Sequence, residues 1–163
     1  MLTELTIKDF ISKVISNDPV PGGGSVSALN GALAAALSAM VANLTVGRKK
    51  YVEVNDLMQE LSTRFEKLSQ KLIEDVDRDS DAYNRVFAAF KLPKETDEEK
   101  QVRSEAIQRE TKYAAQVPME VARAVYEVLP QIDAIAQKGN SNAVTDACVS
   151  MMCARTAILG ALL

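Results

Sequence analysis

The stretch VNDLMQELSTRFEKLSQKLIEDVDRDSDAYNRVFAAFKL, residues 54–92, decides the fold. Its apolar residues recur three or four positions apart, and on a helix they fall within about 60° of Leu61 on one face. This apolar stripe consists of Leu57, Leu61, Phe65, Leu68, Leu72, Val76, Tyr83, Val86 and Phe90. The spacing predicts one long helix from about Val54 to Leu92, ended by Pro93.

A carboxylate interrupts the apolar stripe. Asp79 falls at its centre and Asp75 at its edge, whereas Asp77 and Asp81 fall on the opposite face, where we expect them in water. A lone buried carboxylate is costly, so it acquires either a raised pKa or a partner. Asp79 is therefore either an acid–base catalyst active near neutral pH, or a buried carboxylate satisfied by a helix terminus or a cation.

The rest of the chain also has helical patterns, and no strand pattern of useful length appears. We predict a single all-α domain over residues 1–163, a helical bundle with a long central helix. The predicted helix boundaries are an N-cap at Thr6, a small-residue helix from Ser25 or just after it, a capping box at Thr96–Glu99, kinks or splits at Pro118 and Pro130, and a last helix from about Ala143.

Three polar segments are candidate binding elements. A glycine loop precedes the small-residue helix, and amides at a helix N-terminus attract anions or polar heterocycles, although a plain turn gives the same pattern. A basic turn could bind carboxylates, or it could simply be solvated. The residues of the three segments are Pro21, Gly22, Gly23, Gly24 and Ser25 in the loop, Arg48 and Lys49 in the turn, and Asn140, Asn142 and Asp146 near the last helix.

Composition excludes several function classes. The chain contains no histidine, which removes His-dependent nucleophilic catalysis and His metal sites. Its two cysteines, Cys148 and Cys153, cannot build a zinc site, and we expect them to be buried thiols in a reducing compartment. A net charge of −3 argues against a nucleic-acid partner.

Residues 19–47 carry no charged residue until the basic turn, and their length would suffice to span a bilayer. Small residues and Asn30, Ser38 and Asn43 favour a buried helix of a bundle instead. Gly31, Ala35 and Ala39 form a stripe where another helix, from this chain or a partner subunit, can approach closely. The N-terminus shows no basic or apolar leader, so we expect a cytoplasmic protein without a membrane anchor.

Together these segments resemble the cyclodeaminase/cyclohydrolase family, which comprises the cyclodeaminase domain of formiminotransferase-cyclodeaminase and stand-alone bacterial methenyltetrahydrofolate cyclohydrolases. The matching motifs span nearly the whole chain in the expected order. They are Pro21-Gly22-Gly23-Gly24-Ser25, Thr45-x-Gly47-Arg48-Lys49, Asp77-x-Asp79 with Tyr83, Leu92-Pro93-Lys94 and Gly139-Asn140-x-Asn142-x-x-x-Asp146. Family members usually continue beyond the position of Leu163 with an Asn-Val-x-x-Asn-Leu segment and a further helix, which this sequence lacks.

The resemblance implies a homodimer with a folate cleft at or near the subunit interface, no prosthetic group, and tetrahydrofolate derivatives as substrates. The implied reaction is conversion of 5-formimidoyltetrahydrofolate to 5,10-methenyltetrahydrofolate with release of ammonia. The alternative is methenyltetrahydrofolate cyclohydrolase activity giving 10-formyltetrahydrofolate. A formiminotransferase is the implied protein partner. A non-enzymatic dimeric scaffold is the alternative from another class.

The family is expected to take its proton donor from the Asp77-x-Asp79 segment, and the helical wheel favours Asp79 because it turns Asp77 away. The resemblance implies that the glycine loop holds the pterin or p-aminobenzoate portion of the folate and that Arg48 and Lys49 meet its glutamate tail. Asn140 and Asp146 are expected to bind pterin nitrogens, and Tyr83 and Asn142 are further expected substrate-binding residues.

Overall fold

A computed structural model describes all residues 1–163. The chain is helical throughout and contains no strand, which confirms the all-α class. Its six α-helices are α1 (Ile7–Ile15), α2 (Gly23–Asn43), α3 (Asn55–Phe90), α4 (Asp97–Tyr126), α5 (Leu129–Lys138) and α6 (Val144–Ala161). Short 3₁₀ helices cover Leu2–Glu4, Lys49–Val54 and Ser141–Ala143.

Helix α2 is the centre of the bundle. It packs along α3 and α6, and its buried side chains are almost all alanine or serine. A Cβ atom built on Gly31 would lie 3.0 Å from Val125 on α4 and 3.2 Å from Leu72 on α3. The small-residue stripe of α2 is therefore occupied by helices of the same chain, one of the two options that the sequence left open.

The apolar stripe of α3 is buried only along part of its length. Phe65 and Leu72 are fully buried, and Val76 is 1% exposed. Beyond Asp79 the side chains of the stripe are only partly packed, as Tyr83 is 43% and Phe90 52% exposed. The sequence predicted the periodicity of this face but not where its packing partner ends.

The helix termini follow their capping signals. The Thr6 side chain accepts a hydrogen bond from the amide of Asp9, and Thr96 forms a full capping box with Glu99. Helix α4 continues through Pro118, so only Pro130, in the first turn of α5, separates two helices. Helix α2 begins at Gly23, two residues before the predicted start.

Helix α1 lies on the surface and buries none of its residues. Its apolar face covers a cavity of about 440 Å³ whose opposite wall includes Val26 of α2 and Val76 of α3. Two segments, Gly23–Asn43 and Ser141–Ala161, are long and apolar enough to cross a membrane, a property shared by core helices of soluble proteins. The cysteine expectation is wrong for Cys148, which is exposed because it lies on the uncovered side of α6.

Candidate functional site

Asp79 contacts the first turn of α2. The Ser25 hydroxyl donates a hydrogen bond of 2.8 Å to Asp79 Oδ2 and lies 3.0 Å from the hydroxyl of Ser80. Ser25 is fully buried, Ser80 is 5% exposed, and Asp79 is half-buried. We call Gly24, Ser25, Asp79 and Ser80 the Asp79 cluster. The inward orientation predicted for Asp79 is thus observed.

Gly24 makes this approach of α3 to α2 possible. A Cβ atom built on Gly24 would lie 2.6 Å from Asp79 Cγ and 2.7 Å from Asp79 Oδ2, far inside van der Waals contact. The same atom built on Gly23 would meet nothing within 4 Å. Of these two positions, only Gly24 must be glycine if the Asp79 carboxylate is to reach the N-terminus of α2.

The electrostatic environment of Asp79 raises the pKa of its carboxyl group above the usual value of 3.8. The largest cause is burial, which disfavours the charged form, and hydrogen bonds from the Ser25 side chain and backbone act in the opposite direction. No Lys or Arg nitrogen forms a salt bridge with this carboxylate. Its counter-charge is limited to the partial positive charge at the α2 N-terminus.

Asp75, one turn earlier on α3, shows the opposite arrangement. Its carboxylate is almost fully buried but lies 3.0 Å from Lys71 and 3.1 Å from Arg78. Arg78 also binds Glu120 of α4 at 2.7 Å. Asp75 and Asp79 thus differ in their partners, and Asp75, which has cationic partners, has a structural role. Asp79 is the one without a cation.

Asp77 does not reach the Asp79 cluster. Its carboxylate accepts hydrogen bonds from the backbone amide of Leu2 and, at 2.6 Å, from the hydroxyl of Thr3. The expectation that it lies in water differs from the structure, because the N-terminal 3₁₀ helix covers this side of α3. Asp81, by contrast, is exposed as expected.

Tyr83 lies one turn after Asp79 on α3 and is exposed together with Phe87 and Phe90. At the i+4 position from Asp79, its side chain lies on the same face of α3 as the carboxylate and is partly open to solvent. An exposed aromatic side chain next to a partly buried carboxylate provides a surface on which a planar ring can stack.

The other predicted binding residues gather beyond the C-terminus of α2. Asn140 contacts the residues that follow α2 in two ways. Its backbone amide donates a hydrogen bond of 2.8 Å to Thr45 Oγ1, and its side-chain amide donates one of 3.0 Å to the carbonyl of Leu44. Its side-chain oxygen accepts from the amide of Asn142 at 3.0 Å. Asn140 therefore has a structural role that fixes this loop against α2.

Arg48 and Lys49 are exposed beside this loop and form no salt bridge, so their charges are available to a ligand. Asn142 is exposed, and Asp146 is half-buried in the first turn of α6. We call these four residues, with Asn140, Tyr51 and Ser141, the basic-turn cluster.

Tyr51 is a member that the sequence did not single out as a site residue. Its phenolic oxygen accepts a hydrogen bond of 2.9 Å from the amide of Ser141 and lies 3.1 Å from the Ser141 hydroxyl. These hydrogen bonds, with a smaller effect of Lys50, lower the pKa of Tyr51 from 10.0 to about 8. Only its place inside a basic turn could have indicated this from the sequence.

The two clusters lie at opposite ends of α2. The Asp79 cluster contacts its first turn, whereas the basic-turn cluster contacts Leu44 and Thr45 just after its last residue. Because α2 has 21 residues, the separation is about 30 Å. A single chain therefore brings Asp79 and the glycine loop together, but does not bring Arg48, Lys49 or the asparagines to them.

Comparison with known proteins identifies the family. The family described as Formiminotransferase-cyclodeaminase matches residues 6–163. The methenyltetrahydrofolate cyclohydrolase of Methylorubrum extorquens is 40% identical over 158 residues, which are 97% of this chain and 76% of that protein. The formimidoyltransferase-cyclodeaminase of Rattus norvegicus is 34% identical over 98% of this chain, which spans only 30% of the rat protein.

The fold comparison agrees with the sequence comparison. The crystal structure of formiminotetrahydrofolate cyclodeaminase from Thermotoga maritima superposes with a TM-score of 0.81 at 29% identity, covering 99% of this chain and 79% of that one. The match extends over both clusters and all six helices. The chain belongs to the formiminotransferase-cyclodeaminase family.

Proposed function

We propose that this chain is a folate one-carbon enzyme that acts at the carbon bridging the N5 and N10 nitrogens of tetrahydrofolate. The observation that carries the proposal is the Asp79 carboxyl group, which is partly buried, unpaired by any cation and held at a helix N-terminus beside open solvent. Burial raises the pKa of this carboxyl group above its ordinary value, which favours a role in both accepting and returning a proton. The relatives described above are all named as enzymes that act on one-carbon derivatives of tetrahydrofolate.

Two reactions fit this site, and each passes through a tetrahedral carbon between two nitrogens. In cyclodeamination, N10 attacks the formimidoyl carbon; Asp79 accepts the N10 proton and returns a proton to the departing ammonia. In hydrolysis of 5,10-methenyltetrahydrofolate, Asp79 takes a proton from the water as its oxygen bonds to the methenyl carbon. The N5–carbon bond then breaks as Asp79 gives this proton to N5 and the new hydroxyl loses its own proton, which leaves the formyl group of 10-formyltetrahydrofolate on N10. In both, a one-carbon derivative of tetrahydrofolate is the substrate, and we propose no prosthetic group.

The relatives support both reactions. The Methylorubrum extorquens protein, 40% identical, favours hydrolysis, whereas the Thermotoga maritima structure and the rat protein favour cyclodeamination. The fused rat protein also supports a formiminotransferase as functional partner, since such an enzyme supplies the formimidoyl substrate. Purified chain should be assayed on both substrates side by side, following the near-ultraviolet absorbance of the methenyl compound. Turnover of neither substrate would contradict the proposal.

We propose that the glycine loop and Tyr83 receive the ring portion of the folate, since they border Asp79. Arg48 and Lys49 are proposed to bind the carboxylates of the glutamate tail, because their charged groups are exposed; the exposed Asn142 and the half-buried Asp146 belong to the same cluster. These two groups of residues are about 30 Å apart in one chain. A second copy is needed to bring them together.

The surface of α2 supports a homodimer in which this happens. Leu33 is 49% exposed and Met40 37%, on a helix that carries no charged residue, and Met152 of the neighbouring α6 is 69% exposed. Such an apolar face is typical of an interface. A two-fold axis crossing α2 pairs it antiparallel with its copy, so the first turn in one subunit lies near the basic-turn cluster of the other.

Mixing two inactive variants tests this arrangement. Asp79→Asn and a second variant with Arg48→Ala and Lys49→Ala should each be inactive. If the site is shared, subunit exchange should restore up to about a quarter of wild-type activity, because half of the dimers then carry one intact site. A monomer at working concentration, or no recovery from exchanged dimers, would contradict a shared site.

A further inference from the structure

Resting on the proposed function, we propose that Ser80 is a positioning residue whose hydroxyl fixes the direction of the Ser25 proton toward Asp79. Neither the sequence motifs nor the relatives point to this side chain. Ser80 follows Asp79 on α3 and is 5% exposed, and its Oγ lies 3.0 Å from Ser25 Oγ. It shares no contact with the exposed face on which a substrate would bind.

Counting protons in the cluster gives the direction of each hydrogen bond. An ionised carboxylate only accepts, so the single hydroxyl proton of Ser25 is committed to Asp79 Oδ2. In the contact between the two serines, Ser25 must then accept and Ser80 must donate. The order is Ser80 to Ser25 to Asp79, and each hydroxyl polarises the next.

When Asp79 gains a proton, the same three groups can be linked in reverse. The carboxylic acid then donates to Ser25, which in turn donates to Ser80. The relay therefore fits both protonation states of Asp79 without moving a heavy atom. This is a useful property for a group that must accept a proton in one step and return it in the next.

No other group near Asp79 is placed to change the protonation of its carboxyl group as the two serines are. The charged or titratable residues within one turn of Asp79 on α3 are Asp75, Asp77, Arg78, Asp81 and Tyr83, of which Asp81 is exposed; Glu4 lies on the N-terminal 3₁₀ helix and Glu120 on α4. Asp75 and Glu120 are bound to Arg78, and Asp77 is bound to the N-terminal 3₁₀ helix. Helix α2 contributes no charged side chain at all. The hydrogen-bonded chain from Ser80 through Ser25 to Asp79 is thus the contact that can reverse its direction with the protonation state of this carboxyl group.

The test is a titration of the Asp79 side-chain carboxyl by ¹³C NMR, with the signal assigned by its loss in Asp79→Asn. Ser80→Ala should raise the pKa of Asp79 by about half a unit to one unit, since it weakens a hydrogen bond to the charged form. Ser80→Thr, which restores a hydroxyl, should move it back. Ser150→Ala is the matched control, because Ser150 pairs with Ser38 at 2.8 Å in the core, away from Asp79.

A double-mutant cycle separates a relay from a general packing effect. In a Ser25→Ala background, Ser80→Ala should add no further shift, because Ser80 acts only through Ser25. An unchanged Asp79 titration in Ser80→Ala, or an equal shift in both backgrounds, would overturn the inference. Turnover is a separate readout: if the NMR shifts appear in a chain that converts neither folate, the proposed function fails and the relay stands.

Discussion

Replacing Gly24 with alanine should lower activity by about 100-fold while leaving the protein folded. The new Cβ would lie 2.6 Å from Asp79 Cγ, whereas two carbon atoms in contact need about 3.5–4.0 Å. The carboxyl group must therefore move by about 1 Å, and a displacement of that size at a reacting group can cost about 100-fold in rate. Asp79 can swing away because its carboxyl is the end of a side chain, so the backbone need not shift.

The effect of Gly24→Ala on stability is the difference between two opposing terms. Alanine in a helix gains about 0.5–1 kcal/mol over glycine. Losing the hydrogen bond from Ser25 to a charged group costs about 1.5–3 kcal/mol. The expected net loss is about 0.5–2.5 kcal/mol, or a few degrees in melting temperature. Gly23→Ala, one residue earlier in the same helical turn, has no such clash and should gain stability.

Thermal unfolding by circular dichroism and a steady-state assay on both folate substrates measure these two effects. We expect the Gly24→Ala protein to be folded, with a kcat/KM about 100-fold lower than that of wild type. Wild-type kcat/KM in Gly24→Ala would refute it, because the placement of Asp79 against α2 would then be irrelevant to catalysis. Destabilisation by Gly23→Ala as large as by Gly24→Ala would refute the steric part.

Three further predictions follow from burial and hydrogen bonding. Because burial raises the pKa of Asp79, the folded state binds the carboxyl proton more tightly than the unfolded state, and stability is lost as the pH rises through the folded pKa. In urea unfolding, Asp79→Asn should therefore be more stable than wild type at pH 7 and should lose this advantage as the pH falls toward 3.8. A difference in stability that stays constant with pH would contradict this prediction. Wild type should show a tyrosine absorbance titration near pH 8 that Tyr51→Phe removes. Ser141→Ala keeps the hydrogen bond from the backbone amide of residue 141 but loses the one with the hydroxyl, so it should move the titration of Tyr51 toward 10. A midpoint at 10 in wild type would exclude the assigned hydrogen bonds. Leu72→Ala should cost about 2–5 kcal/mol in urea unfolding, because the fully buried side chain packs against Gly31; a cost below 1 kcal/mol would mean that α2 and α3 close the gap.

The local elements could be predicted from sequence because their signals are local. Thr6 and the Thr96–Glu99 box cap their helices as expected, since an N-cap depends on residues within one turn. The inward orientation of Asp79 followed from periodicity alone, because Leu72 and Val76 fix the buried face of α3. These predictions needed no knowledge of tertiary contacts.

The predictions that differ from the structure concern contacts between distant segments. Asp75 lies at the edge of the apolar stripe as predicted, but the sequence did not indicate that α4 packs on that side or that Arg78 bridges the two helices there. Asp77 was placed in water, yet Leu2–Glu4 folds over it. Periodicity gives a direction on the helix, but it does not say which element lies there.

The separation of the two clusters could have been foreseen from the length of α2. A helix from the glycine loop to the basic turn keeps its ends about 30 Å apart, whatever packs around it. The structure places the two groups of motifs at opposite ends of α2, and the proposal of a shared site rests on this separation.

The most direct test of the account compares Asp79→Asn with Asp81→Asn in the turnover of 5,10-methenyltetrahydrofolate and 5-formimidoyltetrahydrofolate. The two aspartates lie two residues apart on α3, one held against the α2 terminus and the other exposed. Asp79→Asn should lower kcat by about 10²–10⁴-fold on the substrate that the wild type converts, the contribution typical of a general acid–base group. Asp81→Asn should keep wild-type turnover. Equal turnover by the wild type and Asp79→Asn would contradict the central claim.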